Sequence, residues 1–166
     1  MLGTTIYFSI VIGSAVCAYL LGLLNGALYI PSDEGQVEAM LNAANVAAGD
    51  RVIDLGSGDG RLLLAAAKRG AIAHGIEINP ILVWMTKRRI RKEGLESLVT
   101  VEWKDFWSAD LSKYSVVMVF GIAHIMRRLE RKLGKELAPG TRVVCNLFPL
   151  PTWEGKKVEG MFIYTK

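Results

Sequence analysis

Three glycines spaced two residues apart constrain this chain more than any other feature of its sequence. Gly56, Gly58 and Gly60 follow the segment Val52–Leu55, which is apolar except for Asp54, and precede a helix predicted over Arg61–Arg69. Glycine adopts backbone conformations that other residues avoid, so the segment predicts a tight turn between a strand and a helix. Ligands of parallel α/β sheets bind at the carboxyl ends of the strands, where this turn would lie.

Strands and helices alternate along the rest of the chain. Strands are predicted over Arg51–Leu55, Ile72–Glu77, Val99–Trp103, Val116–Phe120, Arg142–Phe148 and Met161–Thr165, and further helices over Pro80–Glu93 and Ile122–Leu137. Such alternation, with nearly continuous apolar strands, is typical of a doubly wound, mostly parallel α/β sheet. An earlier helix, with Asp33 and Glu34 in its first turn, is predicted to be capped by Ser32.

The first 30 residues contain no Lys, Arg, Asp, Glu or His. About 20 apolar residues suffice to cross a bilayer, so we expect a transmembrane helix over residues 1–30 and a single domain over 31–166. A signal peptide and a buried helix are the alternatives, but no basic residue precedes the segment and no small-x-small cleavage site follows it. Gly22 and Gly26 form a G-x-x-x-G pattern that permits two such helices to pair.

The charged residues allow several partners. Ten of the 20 basic residues crowd two predicted helices: Lys87, Arg88, Arg89, Arg91, Lys92, Arg127, Arg128, Arg131, Lys132 and Lys135. They form solvated helix faces or contact anionic lipid headgroups. Nucleic acid is not expected, because no aromatic interleaving or RNA-binding motif accompanies the charge. The two cysteines, Cys17 and Cys145, suggest neither a disulfide scaffold nor a zinc site, and no metal is expected.

The glycine turn does not suit a nicotinamide dinucleotide. That cofactor's G-x-G-x-x-G pattern needs a third glycine where this chain has Arg61. Asp54 and Asp59 would also repel a pyrophosphate, whereas they suit a cofactor with a positive centre. S-adenosylmethionine, which carries a sulfonium and an ammonium group but no phosphate, meets that condition.

Two further acidic residues follow predicted strands. Glu77 comes 19 residues after Gly58, close to the spacing of a carboxylate that accepts both ribose hydroxyls. An ordinary charged strand end is the alternative. After the third strand, Asp105 could accept a hydrogen bond from an adenine amino group while Phe106 or Trp107 packs on the ring.

Together these residues resemble the class I, seven-strand S-adenosylmethionine-dependent methyltransferases over roughly residues 31–166. The chain is more specifically similar to small protein-lysine methyltransferases, which include mitochondrial enzymes acting on the C-subunit of ATP synthase and on the adenine nucleotide translocase, and archaeal relatives. The similarity rests on Pro31-Ser32, Met40-Leu41, Asp54–Arg61, Glu77–Pro80, Leu82–Trp84, Asp105–Trp107, Phe120-Gly121, Pro139–Val144, Phe148–Pro151 and Trp153.

The resemblance implies a Rossmann-like domain, S-adenosylmethionine as cofactor, and a set of residues that hold it. These are Asp54, Gly56, Ser57, Gly58, Asp59, Gly60, Glu77, Ile78, Asp105 and Phe106. It implies that Glu77 holds the ribose, that Asp105 holds the adenine, and that the glycine turn holds the methionine part.

The resemblance also implies a lysine acceptor on a membrane-associated protein. Phe120, Phe148 and Trp153 could line its channel, with core packing as the alternative. His124 could accept a proton or be merely solvated.

The alternatives to a protein-lysine methyltransferase are a small-molecule or lipid-quinone methyltransferase and a non-catalytic, membrane-anchored cofactor-binding protein. We expect the domain to face the cytosol, or the matrix in a mitochondrion, because the cofactor must be supplied there.

Overall fold

The computed structural model describes residues 33–166, and a mixed β-sheet forms the centre of this part of the chain. The strands are β1 (Arg51–Leu55), β2 (Ile72–Glu77), β3 (Val99–Trp103), β4 (Val116–Phe120), β5 (Arg142–Asn146), β6 (Lys156–Val158) and β7 (Met161–Thr165). The helices are α1 (Glu34–Ala43), α2 (Arg61–Lys68), α3 (Pro80–Glu93) and α4 (Met126–Glu136), with short 3-10 turns at Phe106–Ser108 and Ala123–Ile125.

The seven described strands have the order β3-β2-β1-β4-β5-β7-β6. Strands β1 to β5 are parallel, β7 pairs antiparallel with β5, and β6 pairs antiparallel with β7. This confirms the predicted doubly wound, mostly parallel sheet. The chain reverses its direction of travel across the sheet between β1 and β4, and the crevice at such a switch point is where open α/β sheets bind ligands.

Helices cover both faces of the sheet. Alternate strand residues point to opposite faces, so Val52 packs with α1, α2 and α3 while Ile53 packs with α4. Both residues are fully buried. The two helices rich in basic residues, α3 and α4, therefore lie on opposite sides of the sheet.

The helix ends follow local capping chemistry. Asp33 caps α1 by accepting a hydrogen bond from the Gln36 amide at 2.7 Å, so the prediction that Ser32 is the cap is wrong. Asn79 caps α3 in the same way, and α3 ends as predicted at a left-handed Gly94. The helix predicted from Ile122 instead begins as a 3-10 turn, and α4 starts at Met126.

Arg142, the first residue of β5, fastens the end of α1 to the amino edge of the sheet. Its Nη1 donates hydrogen bonds to the carbonyl oxygens of Ala44 and Asn45 at 2.7 and 2.9 Å. Its Nη2 forms an ion pair with Asp50, whose carboxylate also accepts a hydrogen bond from the Ser115 hydroxyl at 2.8 Å. One guanidinium thus joins α1, β5 and the turn before β1.

The predicted transmembrane helix over residues 1–30 and the predicted pairing through Gly22 and Gly26 lie outside the described residues. Within residues 33–166, no helix combines the length and the apolar character needed to cross a membrane.

Candidate functional site

The glycine turn crosses the carboxyl end of β2. The amides of Gly56 and Ser57 both donate to the Ile76 carbonyl, at 2.9 and 3.0 Å, and the Gly60 amide donates to the Ser57 carbonyl at 2.9 Å. Gly56, Gly58 and Gly60 have φ values of +89°, +55° and +78°. Only glycine adopts this succession without strain, so the turn holds backbone groups close to the end of the sheet.

Glu77, the last residue of β2, is held by this turn. Its Oε2 accepts a hydrogen bond from the Gly58 amide at 2.9 Å, and its Oε1 accepts one from the Asn79 amide at 2.8 Å. The side chain is buried, with 8% of its surface exposed. A carboxylate oxygen has two acceptor positions, so each oxygen keeps one for a ligand, and the pair suits two adjacent hydroxyls.

Asp54 lies on β1 below the turn with 7% of its surface exposed. Burial, with a smaller contribution from the charge of Glu77, raises the pKa of Asp54 to about 7. A cation bound nearby would favour the ionised carboxylate and offset this cost. Asp54 therefore fits the predicted cofactor with a positive centre.

Ser57 closes the inner side of the turn. Its Oγ is buried and forms no hydrogen bond within the described residues. A Cβ atom at Gly75 would lie 2.5 Å from this oxygen, so only glycine fits at that position of β2. The buried hydroxyl can accept a hydrogen bond from a ligand or donate one to it.

Asp59 lies in the same turn, but two arginines occupy its carboxylate. Arg61 Nη2 lies 2.7 Å and Arg89 Nη1 2.8 Å from its Oδ2. Burial by itself would raise the pKa of Asp59, but these guanidinium groups outweigh that effect and lower it to about 2. The ion pairs join the turn to α2 and α3, and the role of Asp59 as a cofactor contact stays a prediction.

Asp105 lies close to the end of β2, and its role as an adenine contact stays a prediction. The Lys104 amide donates to the Glu77 carbonyl at 3.0 Å, which brings the residues after β3 to the end of β2. Asp105 accepts a hydrogen bond from the Trp107 amide at 3.0 Å and caps the 3-10 turn that contains Phe106. Both Asp105 and Phe106 are half-buried and can therefore reach a ligand at this edge.

Ile78 lies at the same edge. It is exposed, and its carbonyl accepts a hydrogen bond from Trp103 Nε1 at 2.9 Å. Ile78 thus borders the space between Glu77 and Asp105, where the resemblance implies the adenosine part of a cofactor.

The three aromatic residues predicted to line an acceptor channel do not converge. Phe120 ends β4 and alternates with Val119, so it points to the face of α1 and α2, whereas Phe148 and Trp153 pack against the cluster around α4. Trp153 stacks edge-on with Tyr164 near the amino end of β5, away from the carboxyl edge. Of the three, only Phe120 is on the same face as Asp54.

Asn146 is a site residue that the sequence analysis missed. It ends β5 directly opposite Phe120, and it is buried with 1% of its surface exposed. Its Nδ2 forms no hydrogen bond within the described residues, and a buried amide without a partner is costly. The sequence signal was available, because a polar residue ends an otherwise apolar strand. His124, by contrast, is exposed in the turn after β4.

Comparisons with known proteins agree with this geometry. A family model described as the ANTKMT methyltransferase domain matches residues 54–157. The human ATP synthase C-subunit lysine N-methyltransferase is 38% identical over 137 residues, which cover 82% of this chain and 58% of that protein. A protein-lysine N-methyltransferase of Saccharolobus islandicus is 38% identical over 132 residues, covering 78% of this chain and 82% of the relative. The chain thus spans little more than half the length of the human relative.

A solved structure extends the comparison. It is an RNA methyltransferase from Salinibacter ruber in complex with S-adenosyl-L-homocysteine, with a TM-score of 0.78 and 34% identity. The similarity covers 82% of this chain and 93% of that one.

Proposed function

This chain belongs to the ANTKMT methyltransferase domain family, and we propose that it binds S-adenosylmethionine and methylates a lysine side chain of a protein. One observation carries the cofactor assignment. Two backbone amides hold the Glu77 carboxylate at the end of β2, beside a turn of three left-handed glycines. This arrangement presents two acceptor oxygens to the hydroxyls of a ribose.

The residues present fit this cofactor from one end to the other. Asp105 and Phe106 border the space for an adenine, and Glu77 serves the ribose. The buried Asp54 and the glycine turn serve the methionine part, whose ammonium group and sulfonium centre are cationic. S-adenosylmethionine, when bound, would supply the methyl group: a neutral amine would form a bond to its carbon as the bond to sulfur breaks, and S-adenosylhomocysteine would be the leaving group.

The protein's part in such a displacement is to position and desolvate the acceptor. A lysine amine must lose its proton before it has a lone pair to attack with. An apolar wall formed by Phe120, beside the buried amide of Asn146, favours the neutral amine. Transfer should therefore become faster between about pH 7 and 9, as more of the acceptor is neutral.

A membrane-associated acceptor is part of the proposal. Several relatives carry names that specify the C-subunit of ATP synthase or the adenine nucleotide translocase. Residues 1–30 of this chain carry no charged side chain, so we propose that they anchor the enzyme in the same membrane as its acceptor. Anchoring raises the effective concentration of lysines just outside membrane spans. The domain then faces the compartment that supplies the cofactor, which is the cytosol, or the matrix in a mitochondrion.

Transfer of labelled methyl groups into native membranes tests the proposed reaction. Membranes are incubated with the purified full chain and labelled S-adenosylmethionine, and the labelled species are identified by mass spectrometry. Methylated lysines on a membrane protein are expected, and Glu77→Ala should abolish the label at low cofactor concentration. Label in lipids or quinones with none on lysine would instead support the small-molecule alternative.

Washing of membranes tests the proposed anchor. The full chain should stay with membranes through high salt and alkaline carbonate, and a chain lacking residues 1–30 should be released. Release of the full chain by salt alone would show that surface charge holds it.

A further inference from the structure

We propose that one face of α3 docks on the surface of an anionic lipid bilayer. This α3 face consists of Ile81, Trp84, Lys87, Arg88, Arg91 and Lys92, and it is extended by Ile78 and Trp103. The proposal concerns membrane contact by the described domain, and it holds or fails independently of methyl transfer and of the segment 1–30.

Large apolar side chains on this face are unusually exposed. The exposed fractions are 66% for Ile81, 58% for Trp84 and 68% for Trp103. Ile81 and Trp84 lie one turn apart on the same side of α3, and Trp103 is joined to the start of that helix through its hydrogen bond to the Ile78 carbonyl. Exposed tryptophan and isoleucine side chains grouped in this way are typical of a surface that enters a lipid interface.

Cations surround these apolar side chains. Lys87, Arg88, Arg91 and Lys92 are all exposed, and Arg88 Cζ lies 5.8 Å from the centre of the Trp84 ring. The α3 face contains no acidic residue. The charges therefore complement anionic headgroups, which attract each nearby lysine or arginine.

Two acidic residues near this face in sequence, Glu93 and Glu102, are turned away from it. Glu93, at the end of α3, forms an ion pair with Lys68 at 2.8 Å. Glu102 alternates with Trp103 on β3, so it points to the opposite side of the sheet, where it lies 3.5 Å from His74.

The second basic helix lacks these apolar anchors. α4 lies on the other side of the sheet, and its exposed residues Arg127, Arg128, Arg131 and Lys135 have no large exposed apolar neighbour on that helix. Arg128 instead covers the ring of Trp107, at 3.9 Å from its centre. A flat bilayer can contact only one of the two helices. Of the two, α3 has both basic side chains for the headgroups and exposed apolar side chains that can insert between the lipids.

A bilayer explains the α3 face better than a nucleic acid does. Lysines and arginines suit phosphates of either kind, but the aliphatic side chains of Ile78 and Ile81 gain nothing from a sugar-phosphate backbone and are stabilised by leaving water. Ile78, Ile81 and Trp103 also lie at the carboxyl edge of the sheet, next to Glu77. Docking through them turns the candidate site towards the bilayer.

Quenching of tryptophan fluorescence by brominated lipid tests the proposal. The full chain is reconstituted in brominated phosphatidylcholine vesicles with and without phosphatidylglycerol, without cofactor or acceptor. Emission should be quenched in the anionic vesicles; Trp84→Phe and Trp103→Phe should each remove part of that quenching, and the two substitutions together should remove most of it. Trp153→Phe, which changes a half-buried tryptophan at the other edge of the sheet, should leave the quenching in place.

Charge reversal on the two basic helices provides the matched control. Lys87→Glu with Arg88→Glu should abolish the quenching, because each cation contributes roughly fivefold to affinity for an anionic surface. Arg127→Glu with Arg131→Glu should leave it unchanged. Equal loss in both charge-reversal variants would overturn the proposal, as would quenching that persists when Trp84→Phe and Trp103→Phe are combined. If the fluorescence of Trp84 changed on addition of a single-stranded RNA but was not quenched in the anionic vesicles, the α3 face would be assigned to nucleic acid instead.

Discussion

Replacing Asp54 by asparagine should change the stability of the protein, relative to the unsubstituted chain, in a way that depends on pH. The substitution keeps the shape of the side chain and removes its charge. The pKa of Asp54 is raised from 3.8 to about 7, chiefly by burial, so the folded protein binds this proton more tightly than the unfolded chain does. A carboxyl group of this kind contributes its full stability below pH 4, and that contribution is lost as the pH rises towards 7.

The size of the effect follows from the shift. A difference of about 3 pKa units corresponds to about 4 kcal/mol in the free energy of unfolding. The stability of Asp54→Asn relative to the unsubstituted protein should therefore increase by about that amount between pH 4 and pH 8. Any constant cost of burying the new amide shifts the whole curve and leaves its slope unchanged.

Urea unfolding of the full chain in a non-ionic detergent, followed by circular dichroism from pH 4.5 to 8.5, measures this difference. Asp110→Asn is the control, because hydrogen bonds from Ser112 lower the pKa of that exposed carboxyl group instead of raising it, so its replacement should not give the same rise in stability with pH. A stability difference for Asp54→Asn that is flat with pH, or that falls as the pH rises, would refute the reasoning. The same variant should bind S-adenosylmethionine more weakly at pH 8, where the native carboxylate would otherwise face a cation.

Three other substitutions test the site. Glu77→Ala should weaken binding of S-adenosylhomocysteine by on the order of 100-fold in titration calorimetry, since two charge-assisted hydrogen bonds are lost with partial compensation. Gly60→Ala should lower the free energy of unfolding by about 2–4 kcal/mol, because φ is +78° and the new Cβ would collide with Thr86 Cγ2; Thr86→Ser should recover only the part due to the collision. Asn146→Leu should raise the thermal midpoint, because a buried amide without a partner is removed, and a methyl-transfer rate that stays unchanged would exclude Asn146 from contact with the acceptor.

Most helices and strands could be located from the sequence because strong local signals mark their ends. Glycine and proline mark both ends of α3, and the predicted bounds of Pro80–Glu93 agree with the structure. β6 was missed because Lys156–Val158 is a three-residue, exposed edge strand without apolar alternation. Its existence depends on pairing with β7, which no local pattern reports.

The cofactor side of the candidate site could be predicted from the sequence, whereas the proposed acceptor side could not. Glu77 and the glycine turn could be identified because backbone requirements appear directly in the sequence as glycines and as a fixed spacing. The proposed acceptor side depends on which residues of β4 and β5 end opposite each other, and this is a property of the strand register. The polarity of Asn146 therefore does not by itself identify its place in the site, and for Trp153 the structure supports the core-packing alternative, because it packs near the amino end of β5.

The contact between Arg142 and the end of α1 has a consequence for the order of folding. It joins residues 98 positions apart, so the end of α1, which comes first in the described chain, cannot be fastened to the sheet until β5 has left the ribosome. The strands β1, β2 and β3 pair parallel with near neighbours in sequence and need not wait. During synthesis α1 can already pack against α2, through contacts such as the hydrogen bond from Arg69 to Asn42 at 2.8 Å, but its end stays unfastened to β5 until about four-fifths of the described domain has emerged.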